Sequence, residues 1–415
     1  MEKLILLKSA ASAEAVRGPM PRMAPTRRAS LEIEVVDANS EALRLAEEDD
    51  TVKAHARPMP LKLIAPRKAN DATSRSQIQA AISAGKSWGI EAVGGHDCPY
   101  DGDGVVVAVL DTGIDRHHVA FDDQDLEIIE RDFTGTGNGD TDGHGTHCAA
   151  TIFGRDVNGV RIGVAPGIRK ALIAKVIGGS AGTEALLEGF QWALSNGANI
   201  VSMSLGFDFP NYREWLVRNG YAPEAATSQA LETFMDNIRL FDTLLEMNRH
   251  QQAIGRSAVV VAASGNESGR DADKPYVIQR SSPSAAIGVI SVGAVMRDGD
   301  ELTIAPFSNT NPTLVGPGVG IVSAGKVTAT KNDALEAMDG TSMACPHIAG
   351  LAALHWQAAS IHDRKADEIG ARVRNSCRRE LITDENVTIA DIGQGLALAP
   401  GKPSASKRGG WQPGR

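Results

Sequence analysis

Five short apolar runs constrain this chain most. They are Val105–Leu110, Ala171–Ile177, Ile200–Ser204, Val259–Ala263 and Val289–Val292, separated by Ala- and Leu-rich helical stretches. A strand with one wet face alternates apolar with polar residues, and these runs do not. Near-continuous β-branched apolarity is what strands covered on both faces require. Strands of that kind alternating with helices predict an α/β fold with a parallel sheet.

The runs fall inside an α/β domain expected over residues 76–398 of the 415. Before it, residues 30–75 read as a small α+β unit and a linker. Leu31 to Val36 alternates as a half-buried strand, Asn39 or Ser40 caps a helix from Glu41 to Glu48, and Thr51 to Ala56 makes a second strand. Pro58, Pro60, Pro66 and the polar stretch Arg67 to Ser76 mark the boundary. Residues 1–29 are expected to be a flexible arm, and 399–415 a disordered tail rich in Gly, Pro, Ser, Lys and Arg. The first apolar run, Leu4 to Leu7, ends at Lys8, short of the roughly 7–15 residues of a signal-peptide core.

One long excursion, Phe207 to Arg256, interrupts the alternation. Its first half is irregular and aromatic. Its second half is a helix, with Leu231, Phe234, Met235, Ile238, Phe241, Leu244 and Leu245 as a core stripe. Narrowing of a substrate cleft and a surface loop of no consequence are both open for it.

A formal net charge of -9 makes nucleic acid an unexpected partner. No apolar run approaches the ~20 residues needed to cross a membrane. Four cysteines, Cys98, Cys148, Cys345 and Cys377, form no disulfide scaffold and no zinc-type pair. Reduced thiols and a cytoplasmic location are the expectation.

In an open α/β sheet, ligands bind beyond the carboxyl ends of the strands. Asp111-Thr112-Gly113 follows the first run, Ser204-Leu205-Gly206 the third and Ser264-Gly265-Asn266 the fourth. Helices begin at His144 and at Gly340-Thr341-Ser342, where backbone N–H groups and the positive helix end favour an anion. Taken alone, a serine there is more often an N-cap. A serine nucleophile needs a base, and histidine is the natural one near neutrality. An aspartate then holds the imidazole tautomer. Asp111, His144 and Ser342 supply those parts, and Asn266 offers an N–H to an oxyanion.

Asp111-Thr112-Gly113, His144-Gly145-Thr146-His147, Ser204-Leu205-Gly206, Ala263-Ser264-Gly265-Asn266 and Gly340-Thr341-Ser342-Met343-Ala344 together resemble the signature segments of the subtilisin-like serine proteases. The order Asp, His, Ser is also that family's. The resemblance covers about residues 85–395. It implies three layers, a parallel sheet sandwiched by helices, and a serine endopeptidase acting through an acyl-enzyme. It assigns Asp111 to orient, His144 to act as base then acid, Ser342 to attack, and Asn266 to hold the oxyanion. It implies that Ser204, Leu205 and Gly206 pair with the substrate backbone, and that Ala263, Ser264 and Gly265 wall the main specificity pocket. Residues 30–60 then resemble an inhibitory prodomain, so the chain is expected to be a zymogen cut between about Ile64 and Ser87. Its expected partners are a peptide or protein substrate and its own prodomain.

Two departures from the pattern stand out. The family's strongest calcium site needs a carboxylate where this chain has Ala120, and a loop that here carries Arg155 and Arg161. No cofactor and no metal is expected there, since calcium wants several oxygens. Cys148 and Cys345 flank the catalytic segments, with packing and redox sensitivity both open. A peptidase dedicated to one partner protein and a catalytically silent peptide binder remain rival readings.

Overall fold

The structure is a computed structural model and describes residues 3–9, 31–67, 71–250, 257–299, 301–328, 330–384 and 386–401. In chain order its elements begin with β1 (Lys3–Ser9), β2 (Leu31–Asp37), α1 (Ser40–Glu48), β3 (Val52–Ala56), β4 (Leu61–Leu63), α2 (Asp71–Ala84) and α3 (Trp88–Ala92). Then follow β5 (Val106–Asp111), β6 (Glu127–Asp132), α4 (His144–Phe153), β7 (Lys170–Lys175), α5 (Thr183–Ser195), β8 (Ile200–Met203), β9 (Leu205–Phe207), α6 (Phe209–Arg218) and α7 (Pro223–His250). The working elements end with β10 (Val259–Ala263), β11 (Ile290–Asp298), β12 (Glu301–Ile304), β13 (Leu314–Pro317), β14 (Ile321–Ala324), β15 (Leu335–Met338) and α8 (Thr341–Ala358).

The five apolar runs became β5, β7, β8, β10 and β11. They lie in a sheet ordered β12-β11-β10-β8-β5-β7-β6, with β13 also paired to β11. Every pairing is parallel except β11–β12. Val107, Val109 and Val261 pack on one face with Ile152 of α4 and Ile348 and Leu351 of α8. Ala108, Leu110, Val201 and Val260 pack on the other with Leu186 and Phe190 of α5 and Leu240 and Phe241 of α7. Both faces are therefore dry, which is why the runs do not alternate.

The N-terminal unit has the expected β2, α1 and β3, with Asn39 Oδ1 accepting from the Ala42 N–H at the helix start. The expected arm over residues 1–29 is corrected at its beginning. Lys3–Ser9 is the central strand of a three-stranded antiparallel sheet ordered β2-β1-β3. Leu4 and Leu6 face Ala42 and Ala46 of α1, while Ile5 and Leu7 join the core around α5 and α7. The run is continuous for the same reason as the five others: both faces are covered. The rest of the arm and most of the tail lie outside the described residues.

Three further expectations change. The polar stretch read as linker is largely α2, whose Gln77 lies beside Gly320 at the edge of β14, so helix crosses the expected 75/76 boundary. The aromatic start of the excursion is the helix α6, capped by Asp208 with Pro210 in its first turn. Within α7 the stripe is rotated. Leu231 and Met235 are 51% and 41% exposed, and the buried face runs through Ala230, Thr233, Asn237, Leu240, Phe241 and Leu244. A polar residue at the centre of that face hid its true direction.

Candidate active site

The carboxyl ends of β5, β8 and β10 and the starts of α4 and α8 converge on one groove. Asp111 closes β5 and is fully buried. Its Oδ1 accepts from the Thr112 N–H at 2.8 Å and pairs with His144 Nδ1 at 2.8 Å. His144 opens α4, and its Nε2 is buried with no partner among the described residues. Burial disfavours its imidazolium, but the facing Asp111 carboxylate, with Cys148, outweighs that and holds its pKa well above 6.5. A Cβ at Gly145 would lie 2.2 Å from the Gly113 carbonyl oxygen, so only glycine lets the helix start meet the strand end this closely.

Asp140, a residue the sequence reading missed, ties these two elements together. It accepts from Thr112 Oγ1, from the Gly143 N–H, and from both the N–H and Oγ1 of Thr146. Burial raises its carboxyl pKa, but these bonds prevail and keep it below the usual carboxylate value. Its signal was present, an acid four residues before a helix-start histidine, within reach of the free N–H groups of the first turn.

Ser342 lies in the first turn of α8 and is fully buried. Ser204 Oγ and Cys148 Sγ both donate to its carbonyl, at 3.1 and 3.3 Å, fixing the helix start against β8 and α4. Cys148 Sγ also lies 3.8 Å from His144 Nδ1, so the Ser342 main chain and the His144 ring share it as a contact. The Ser342 hydroxyl is turned to Met343 Sδ at 3.5 Å, and no hydrogen bond joins it to His144 among the described residues. Such contacts commonly tighten only around a reacting substrate. Burial raises the Cys148 thiol pKa and pushes that of Cys345 to about 12, which disfavours the thiolate at both.

Asn266 is held by its oxygen, which accepts from the N–H and hydroxyl of Thr341, each at 2.8 Å. Its Nδ2 is thereby aimed into the groove. A Cβ on Gly340 would stand 2.7 Å from Ser342 Oγ and 3.0 Å from Asn266 Nδ2, so glycine is required where the two groups converge.

The groove holds the chain's own residues 61–65. β4 pairs antiparallel with β9, with Leu63 opposite Leu205 and Lys62 opposite Gly206. The Ile64 N–H points at the Ser204 carbonyl at 3.4 Å, and the Ala65 carbonyl accepts from Asn266 Nδ2 at 3.0 Å. Beyond, the Arg67 N–H donates to the Asp339 carbonyl. Ala263 ends β10, Ser264 accepts from the Ser281 N–H, and the Gly265 N–H donates to Thr341 Oγ1. Next to Ser281, the Ser282 carbonyl accepts from the Phe207 N–H.

Where calcium was not expected, the Arg155 guanidinium donates to the carbonyls of Phe153 and Ile168 and pairs with Asp123 at 2.7 Å. Among the described residues no helix is long and apolar enough to cross a membrane.

Residues 102–395 match the model of the Subtilase family. The chain is 33% identical over 315 residues to the major intracellular serine protease of Bacillus subtilis, covering 72% of this chain and 83% of that protein. It is 32% identical over 295 residues to a cuticle-degrading serine protease of Arthrobotrys oligospora, covering 66% of this chain but only 59% of the relative. Among solved structures, fervidolysin of Fervidobacterium pennivorans, a keratinolytic enzyme related to subtilisin, matches with a TM-score of 0.61 at 22% identity. That match covers 96% of this chain and 60% of that one, and it speaks for the fold.

Proposed function

This chain belongs to the subtilase family, and from that premise we propose a serine endopeptidase, made as a self-processing zymogen, that cuts peptide bonds through an acyl-enzyme on Ser342. The observation that carries the reading is one strand in the groove, hydrogen-bonded along β9, with its Ala65 carbonyl on Asn266 beside Ser342 and the Asp111–His144 pair.

A substrate strand takes the same path by β-augmentation. Ser342 Oγ attacks the carbonyl carbon while its proton passes to His144 Nε2. His144 Nδ1 keeps its proton and donates it to Asp111 Oδ1 in a hydrogen bond, and the carboxylate stabilises the imidazolium. The oxyanion receives the Asn266 Nδ2–H and the Ser342 N–H. Collapse breaks the C–N bond, and the amine leaves with the His144 proton. Water then repeats the sequence in reverse, its proton going to His144 and its oxygen to the acyl carbon, and releases Ser342.

Residues 3–67 act as the intramolecular inhibitor, a role supported by the same occupied groove. Peptides and proteins are the substrates. A cytoplasmic location is supported by four free cysteines and by the intracellular Bacillus relative. The loop after α4 needs no calcium, since Arg155 already brings positive charge to its carbonyls.

Mass spectrometry of the purified chain beside Ser342→Ala tests the proposal. Trimming between Ile64 and Ser87 in the wild type alone is expected. An untrimmed wild type overturns self-processing. A wild type that also fails to react at Ser342 with a fluorophosphonate overturns the peptidase reading.

A further inference from the structure

Upstream of β4 the grip on the strand continues, and it comes from groups outside the family-like segments. Thr183, at the start of α5, brackets Met59: its N–H and Oγ1 approach the Met59 carbonyl at 3.1 and 3.2 Å, and its Oγ1 lies 3.1 Å from the Met59 N–H. Asn237, from the middle of the long helix α7, donates Nδ2 to the Arg57 carbonyl at 2.8 Å. Its Oδ1 accepts from Thr183 Oγ1, linking the two residues. One residue beyond Met59, the Asp208 N–H donates to the Pro60 carbonyl at 2.9 Å.

Thr183 and Asn237 are both 0% exposed, and Asn237 sits among Leu240, Phe241 and Ala230 on an apolar helix face. A buried amide there is costly unless bonded. Among the described residues its Nδ2 meets only the Thr233 carbonyl of its own helix and this strand. Every strand contact named is to main chain, so none depends on the sequence of the strand. Alongside, a cavity of about 580 Å³ is walled by Tyr212 and Trp215, stacked with ring centroids 6.0 Å apart. It has room for side chains larger than Pro60.

We propose that Thr183 and Asn237 form a distal backbone-binding subsite, which makes extended polypeptide reaching well upstream of the cut bond the preferred substrate class. The inference rests on the endopeptidase reading and deepens it. The excursion Phe207 to Arg256 supplies Asp208 and Asn237 to this subsite and so lengthens the groove. Flexible termini and unfolded chains reach the subsite; short peptides and tight loops do not.

The test is a series of anilides ending in alanine, with upstream sequences matching residues 62–65, 60–65 and 57–65, assayed on the full chain. A competing inhibitory strand lowers the rate for all three alike, so the ratio of kcat/KM still reports the subsite. A rise of about ten- to a hundredfold from shortest to longest is expected for a few added hydrogen bonds. Asn237→Leu and Thr183→Val should each flatten the series. A wild-type ratio near one overturns the subsite and leaves the peptidase standing. A steep series surviving in both variants overturns the assignment to these residues. Hydrolysis of none of the anilides, with no Ser342 labelling, overturns the peptidase reading and the subsite together.

Discussion

At the reaction end of the groove each working group is fixed by several neighbours. Asn266 is held twice by Thr341, Asp111 meets two partners, and Asp140 clamps the start of α4. At the upstream end, two buried polar side chains bind a passing backbone. Bond breaking depends on which atom meets the carbonyl to within a fraction of an ångström. Strand binding asks only for a donor and an acceptor at the right spacing. The first demand fixes residue identities, and the second leaves them loose.

That contrast orders the expected losses. Asn266→Leu keeps the volume but removes the proposed oxyanion donor, and kcat should fall by about a hundred- to a thousandfold. If kcat holds and only KM rises, Asn266 belongs with the binding groups, and the distinction between the two ends breaks.

Beneath the reaction end, burial holds the pKa of His147 at about 3, with His144 a further cause, and that of His347 at about 4. Both folded values lie below the ordinary 6.5, so under pH 6.5 the unfolded chain binds more protons and stability falls toward pH 4 and below. His144 has the opposite sign. Its raised pKa adds stability that is whole below 6.5 and is lost only as pH rises through the raised value, so it does not soften the acid loss. Each depressed histidine should cost on the order of a few kcal/mol across its window. Denaturant titrations of wild type and His347→Gln at neutral and acid pH check this. An equal acid loss in the two removes His347 from the account.

The smallest effect belongs to a side-chain contact on the occupying strand. Lys62 pairs with Glu267 at 2.7 Å, with both side chains partly exposed. In the Ser342→Ala chain, Lys62→Ala should shift stability by less than about 1 kcal/mol. A larger shift would mean that side chains, not the backbone, hold the strand.

The same contrast explains what could be read in advance. Asp111, His144, Ser342 and Asn266 were legible because chemistry allows few substitutes and their glycine neighbours are demanded by close approach. The sheet was legible because dry strands have no alternation. β6 escaped because Glu127, Glu130, Arg131 and Asp132 line an edge strand whose polarity reads as loop. Asn237 escaped because one amide within a helical stripe looks like an interruption of the core. β1 escaped because its partners begin some twenty residues later, and a run of four apolar residues carries too little pattern to reveal pairing at that range.

One connection has a thermodynamic consequence. The strand in the groove leaves it at Arg67, and α2 of the large domain begins at Asp71. A ligand tethered that closely is present at an effective concentration of order millimolar or higher, whatever the dilution of the protein. Uncut, even a weakly bound strand stays seated. Once severed it competes only at its bulk concentration, so dilution itself releases the enzyme.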